Sequence, residues 1–161
     1  AREEGLSEDR IQFEVASSTN FPFPFPIAKG GSRSNNKQQG EEEEAAEGYD
    51  LIAFFDCLHD MEDPQGAAAH ALETLRKPDG TVMIVEPFAN DKLEDNLNPI
   101  GRMFYAGSTM VCVPASLSQN GPALGAQVGE AGISKVVKAG GFKHFKRATQ
   151  TPFNIVYEAR P

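Results

Sequence analysis

The chain has 161 residues, of which 40% are hydrophobic and 24% are charged, enough for one globular domain with a buried core. Its net charge of -8 argues against a nucleic-acid partner, because phosphate binding requires clustered lysine and arginine. The sequence shows no apolar run long enough for a membrane span and no signal-peptide pattern, so we expect no membrane partner. Its cysteines, Cys57 and Cys112, match no metal-site spacing. We therefore predict no metal ion and a reducing, cytoplasmic setting.

The N-terminal part contains a predicted strand followed by a long polar segment. Residues 10–16 alternate apolar and polar side chains, which is the period of a strand. Residues 21–48 begin with Phe-Pro pairs, which cannot hold a regular hydrogen-bonded ladder, and continue as a glycine-rich and then acidic stretch. Because this stretch has no hydrophobic period, we predict a disordered insertion within one domain that spans residues 1–161.

A second predicted strand, residues 49–55, ends in a cluster of polar side chains. Residues 51–55 are a continuous apolar run, which is typical of a strand covered on both faces in a parallel sheet. Ligands bind at the carboxyl ends of such strands. A histidine flanked by carboxylates there, as His59 is, is a candidate general base, because an unperturbed histidine has a pKa of about 6.5. The alternative is that these polar residues are solvated and cap the next helix.

The next elements follow from local signals. Asp63 and Pro64 predict the start of a helix that continues over residues 65–76. Residues 77–80 (KPDG) predict the helix stop and a tight turn. Residues 81–85 then form an apolar strand that ends at Glu86, so a second polar residue stands at the carboxyl end of a strand.

The C-terminal part is expected to begin irregularly and to end in a hairpin. Residues 91–124 show no clear period, although residues 101–113 are long enough for a helix. This helix is expected to form either a pocket wall or an ordinary surface helix. Residues 130–139 form a short amphipathic helix that a glycine pair ends. Residues 142–149 and 153–159 are two strands joined by a turn short enough for a hairpin.

Three segments in this order resemble the C-terminal half of class I S-adenosylmethionine-dependent methyltransferases. They are YDLIAFFDCLHDMEDP (49–64), LRKPDGTVMIVEP (75–87) and VVKAGGFKHFKRATQTPFNIVYEARP (136–161), which resemble the fourth strand, the fifth strand and the closing hairpin. The resemblance implies an α/β fold, a partial Rossmann-like sheet with a closing antiparallel hairpin whose first strands are missing. The segments are most similar to actinobacterial-type enzymes with an N-terminal winged-helix region, which implies a homodimer formed through a region outside this chain.

The resemblance also implies site residues, with S-adenosyl-L-methionine as cofactor and a small-molecule hydroxyl as acceptor. In related O-methyltransferases a histidine before an aspartate removes the acceptor proton, and that position is His59, followed by Asp60. Glu86 would orient the acceptor or the base. Phe55 and Asp56 would lie against the methionine part of the cofactor.

The N-terminal cofactor contacts depart from the family pattern. The loop that usually offers an acidic residue to the adenine ring is here Ala16 and Ser17, so the Ser17 hydroxyl would replace the acid. The glycine-rich loop and the ribose-binding acid of the family are absent. We therefore expect a fragment or a truncated gene model. The alternative is a catalytically inactive remnant that serves as an interaction or dimerisation domain. A nicotinamide-dependent oxidoreductase is disfavoured, because its dinucleotide fingerprint is absent too.

Overall fold

The computed structural model describes residue 11, residues 13–24 and residues 48–161. These residues form four strands, which are β1 (Leu51–Phe55), β2 (Thr81–Pro87), β3 (His144–Gln150) and β4 (Asn154–Arg160). They also form four α-helices, which are α1 (Pro64–Thr74), α2 (Pro99–Gly107), α3 (Val113–Ser118) and α4 (Gly129–Ala139). A π-helical stretch, Ser108–Cys112, joins α2 to α3, and short 3-10 turns occupy Leu58–Asp60 and Leu93–Asn96. No helix in the described ranges is both long and apolar enough to cross a membrane.

The strands form one open sheet in the order β1-β2-β4-β3. Strands β1 and β2 are parallel, with Leu51 opposite Thr81 and Phe55 opposite Val85. Strand β4 is antiparallel to both β2 and β3. The predicted α/β fold, a partial Rossmann-like sheet with a closing hairpin, is confirmed. Because β1 and β2 run in the same direction, their carboxyl ends lie at the same edge of the sheet.

Helix α1 begins and packs as its sequence indicates. The Asp63 side chain accepts a hydrogen bond of 2.7 Å from the Gly66 N–H, and Pro64 occupies the first turn. Its inner face carries buried alanines, among them Ala68, which is 3% exposed. A Cβ added at Gly140 would lie 2.7 Å from the Ala68 Cβ. The small side chains of α1 and the glycine at the end of α4 therefore let the two helices approach closely.

The core lies on one face of the sheet. Every second residue of β2 and β4 is buried, and these residues form one cluster with apolar side chains of α1 and α4. The buried members of β2 are Val82, Ile84 and Glu86. Glu86 therefore continues the buried face of its strand, and the residue is 2% exposed. A carboxylate in that position requires partners, because burying an unpaired charge is costly.

Two strand predictions are wrong. Strand β1 is not covered on both faces, since Leu51 is 55% exposed and Phe55 is 63% exposed at the edge of the described sheet. The predicted strand at residues 10–16 does not form in residues 11 and 13–16, which are the described part of that range. Phe13 there is 89% exposed. Alternation alone does not make a strand, because the backbone also requires a neighbouring strand for its hydrogen bonds.

Of the two remaining predictions, the described residues test one, and most of the other lies outside them. The predicted helix of residues 101–113 forms, but the helical chain runs from Pro99 to Ser118 through the π-helical stretch. Asn98 caps it by accepting a hydrogen bond of 2.9 Å from the Gly101 N–H. Residues 25–47, most of the predicted disordered insertion, lie outside the described residues.

Candidate active site

The site begins where β1 ends. The Asp56 N–H donates to the Val85 carbonyl at 2.8 Å, which continues the pairing of β1 with β2. Asp56 then adopts a left-handed backbone with φ of 46°, a conformation that aspartate tolerates better than most residues. Its Oδ1 accepts a hydrogen bond of 3.1 Å from Asn154 Nδ2. The strand therefore turns sharply at Asp56 and enters the 3-10 turn that carries His59.

Glu86 links the ends of the two parallel strands. One of its carboxylate oxygens accepts a hydrogen bond of 3.1 Å from the Leu58 N–H. The other forms a short hydrogen bond with His59 Nδ1. His59 is 3% exposed and Leu58 is fully buried. The interpretation of His59 as a solvated loop residue is therefore wrong, because its ring is buried and held from β2.

Asp60 contacts the other ring nitrogen of the imidazole. Its Oδ1 lies 2.9 Å from His59 Nε2, and its side chain is 35% exposed. The imidazole of His59 is thus placed between two carboxylates, one fully buried and one at the surface. A buried hydrogen bond from Nδ1–H to Glu86 would leave Nε2 of a neutral ring as an acceptor that faces Asp60.

The charges around His59 favour its protonated form. Burial lowers the pKa of His59, but the hydrogen bond to Glu86 and the charges of Glu86, Asp60 and Asp56 raise it more strongly. The net result is a pKa above the usual value of about 6.5. His59 is therefore a stronger base than a free histidine, and it becomes unprotonated only at a correspondingly higher pH.

A cleft of about 390 Å³ opens beside this cluster. Asp60, Cys57 and Ser17 are among its lining residues. Ser17 and Asp60 are thus on one cleft, whereas Ala16 and Phe55 are exposed and do not line it. A larger cleft of about 580 Å³ lies where β3 begins and β4 ends, and none of the predicted site residues lines it. Asp60, rather than the more deeply buried His59, is the residue of the cluster that meets the smaller cleft.

Two neighbours of the site, Cys112 and Asn154, gave no recognisable signal in the sequence. Cys112 ends the π-helical stretch, and its sulfur lies within 4.8 Å of a carboxylate oxygen of Asp60 and a ring nitrogen of His59. Two further contacts hold this region against the 3-10 turn, because Ser116 Oγ donates to the Met61 carbonyl at 3.2 Å and the Gly125 N–H donates to the His59 carbonyl at 3.3 Å. Both neighbours are distant in the chain, so only the fold brings them to the site.

Comparison with known proteins identifies the family and the fold. A family model described as "Methyltransferase domain" matches residues 9–119. No curated protein sequence matches this chain. The solved structures similar to it include human N-acetylserotonin methyltransferase in complex with SAM, which is 16% identical with a TM-score of 0.57. That comparison covers 99% of this chain and 36% of the human chain.

Two further solved structures agree with this assignment of the fold. The S-adenosylmethionine-dependent methyltransferase SibL, in its apo form, is 19% identical with a TM-score of 0.55, covering 99% of this chain and 38% of SibL. The methyltransferase CalH, in complex with SAH, is 19% identical with a TM-score of 0.50, covering 99% of this chain and 37% of CalH. The chain thus spans less than two-fifths of the length of each of these structural neighbours.

Proposed function

This chain belongs to the methyltransferase domain family, and on that premise we propose that it takes part in methyl transfer from S-adenosyl-L-methionine to a small-molecule hydroxyl. One observation carries the proposal, which is the buried His59 held by Glu86 at the shared carboxyl edge of β1 and β2. In open α/β sheets this edge is where ligands bind. A histidine fixed there by a carboxylate is a general base whose orientation is set before the acceptor arrives.

The residues beside His59 fit the polar end of the cofactor. S-adenosyl-L-methionine supplies a methyl group that its sulfonium has already activated for transfer. At the end of β1, Asp56 offers a carboxylate suited to the ammonium of a methionine group, and Phe55 offers a ring that is 63% exposed. Ser17 lines the same cleft as Asp60 and offers a hydroxyl. We propose that Phe55 and Asp56 hold the methionine part and that Ala16 and Ser17 lie toward the adenine.

His59 has one task in this mechanism, which is to take the acceptor proton at Nε2. The cofactor would supply the methyl group to the acceptor oxygen, and His59 would receive the proton that this oxygen loses. Glu86 holds Nδ1–H, so that Nε2 is the free acceptor, and it stabilises the imidazolium that forms. In this structure Asp60 Oδ1 lies against His59 Nε2, so the Asp60 side chain must turn away before the acceptor approaches. Its exposure of 35% permits that movement.

The proposal is tested by measuring cofactor binding and acceptor choice separately. Calorimetry with S-adenosylhomocysteine reports whether the protein binds the product form of the cofactor. Transfer of a labelled methyl group to matched panels of phenols, alcohols, amines and carboxylic acids reports the acceptor class. Binding together with methylation confined to hydroxyl acceptors is expected. Absence of binding would reject the cofactor assignment, and transfer to amines alone would reject O-methylation.

A further inference from the structure

Three side chains of different chemistry converge beside the cleft. A ring nitrogen of His59, a carboxylate oxygen of Asp60 and the sulfur of Cys112 all lie within 4.8 Å of one another. His59 is buried, and the other two are partly buried. We propose that this cluster is a binding site for a thiophilic divalent cation of the zinc class, with His59 Nε2, a carboxylate oxygen of Asp60 and Cys112 Sγ as its ligands.

The set of donor atoms selects the kind of cation. Imidazole nitrogen, thiolate sulfur and carboxylate oxygen are the three ligand types that zinc binds in proteins, at about 2.0–2.3 Å. Magnesium and calcium prefer oxygen ligands, and only one of the three side chains supplies oxygen. Three protein ligands leave a fourth tetrahedral position to water, which could reach it from the cleft that Asp60 lines.

The surroundings of His59 match those of a metal-binding histidine. Such a histidine usually donates its second ring N–H to a carboxylate, which fixes the ring and its tautomer. Here Glu86 takes Nδ1 in a buried hydrogen bond, so Nε2 is the nitrogen directed at Asp60. The contact between Glu86 and His59 does not involve Cys112 or Asp60, and it orients His59 Nε2 as a ligand.

Asp60 provides a second, independent observation. Its Oδ1 is buried from solvent and receives no aligned hydrogen bond from the described residues, although His59 Nε2 is 2.9 Å away. A divalent cation placed between His59 Nε2 and Asp60 Oδ1 would take the place of the proton between this pair and would contact both atoms.

Cys112 completes the set from a distant part of the chain. It stands at the end of the π-helical stretch, a widened form of helix that often occurs at functional sites. Its sulfur lies within 4.8 Å of the Asp60 oxygen and the His59 nitrogen. Cation binding releases to solvent the thiol proton of Cys112 and any proton that His59 carries at Nε2, because both ligand atoms must be unprotonated to bind the metal.

Occupation of the site has a consequence that rests on the proposed function. A cation on His59 Nε2 removes the atom that would accept the acceptor proton, so zinc should inhibit methyl transfer. Binding itself is independent of turnover and is measured without cofactor or acceptor. If the cation binds as proposed but methyl transfer continues, that result would reject His59 as the base and would still support the metal site.

The experiment is a titration of the reduced chain with Co²⁺, followed by displacement with Zn²⁺. We expect one Co²⁺ per chain and a thiolate-to-cobalt charge-transfer absorption that Zn²⁺ removes. Cys112→Ser should abolish this absorption and weaken Zn²⁺ binding by about tenfold or more, whereas the matched Cys57→Ser variant should bind like the unmodified chain. No charge-transfer absorption, or one that survives Cys112→Ser or is lost in Cys57→Ser, would overturn the proposal.

A second measurement needs no variant and decides the matter if Cys112→Ser does not fold. Zn²⁺ is added to the unmodified chain, and alkylation of each cysteine by iodoacetamide is followed by mass spectrometry. The proposal expects Zn²⁺ to slow alkylation of Cys112 and to leave that of Cys57 unchanged. Equal protection of both cysteines, or protection of neither, would contradict it.

Discussion

His59 and Glu86 form a buried hydrogen bond that joins the chain just after β1 to the end of β2. Both side chains are at most 3% exposed, so water does not weaken the contact. The second oxygen of Glu86 holds the Leu58 N–H in the same turn. One carboxylate therefore fixes both the backbone of the turn and the direction of the imidazole.

Replacing Glu86 by glutamine should weaken the base without removing it. A hydrogen bond to a charged group contributes about 1.5–3 kcal/mol, so we expect kcat to fall about tenfold or more. The midpoint of the pH profile of kcat/KM should also move to lower pH, because the bond and charge of Glu86 raise the pKa of His59. Glu158→Gln, on β4, is the control and should leave both quantities unchanged. A Glu86→Gln profile with an unmoved midpoint would contradict the proposed contact.

The raised pKa of His59 also predicts a pH dependence of stability. A group whose pKa is higher in the folded state stabilises the fold below its unfolded pKa of about 6.5, and that contribution is lost as pH rises through the folded pKa. His59→Gln should therefore remove part of the decline in Tm above about pH 6.5. His144→Gln replaces an exposed histidine of β3 and should retain the wild-type dependence. Identical pH curves for the wild type and His59→Gln would show that His59 is not linked to folding.

Leu58 anchors the turn that carries His59, and its removal should reduce stability strongly. The side chain is fully buried, so Leu58→Ala should lower the free energy of unfolding by about 2–5 kcal/mol. Leu93→Ala changes the same residue type at a position that is 60% exposed, and it should alter stability by only about 0.5 kcal/mol or less. Urea unfolding of both variants makes the comparison. Equal losses would mean that the turn is not anchored in the core.

Asp56 is expected to contribute to cofactor affinity rather than to turnover. Asp56→Asn removes the charge proposed to contact the methionine ammonium, which should weaken S-adenosylhomocysteine binding about tenfold, or ~1.4 kcal/mol. Asp50→Asn removes a carboxylate just before β1, where it pairs with Arg76, and it serves as the control. Calorimetry should detect weaker binding only for Asp56→Asn. Equal affinities for the two variants would exclude Asp56 from the cofactor site.

The predictions that succeeded depend on local chemistry. Asp63 and Pro64, two adjacent residues, predict the start of α1, and Asp63 forms the expected N-cap. The glycines after α4 end it for an equally local reason, since Gly141 adopts a positive φ of 105°. Strand β2 and the closing hairpin also form where their patterns indicate. These signals require no knowledge of distant parts of the chain.

The predictions that failed depend on neighbours that a short pattern does not contain. The alternation around Phe13 predicts a strand, but no described strand pairs with it. The apolar run of β1 predicts cover on both faces, whereas Leu51 and Phe55 stand at the edge of the described sheet. The sequence shows only the spacing of Cys112 from Cys57, whereas the fold brings its sulfur within 4.8 Å of ligand atoms of Asp60 and His59. Tertiary contact, rather than local sequence, determines each of these outcomes.

The most direct test of the account compares turnover and cofactor binding in His59→Gln. Loss of a general base lowers the rate about 10²–10⁴-fold, so kcat for methylation of a hydroxyl acceptor should fall within that range. The Kd for S-adenosylhomocysteine should change about twofold or less, because His59 is proposed to contact the acceptor and not the cofactor. An unchanged kcat in a folded His59→Gln variant would contradict the account.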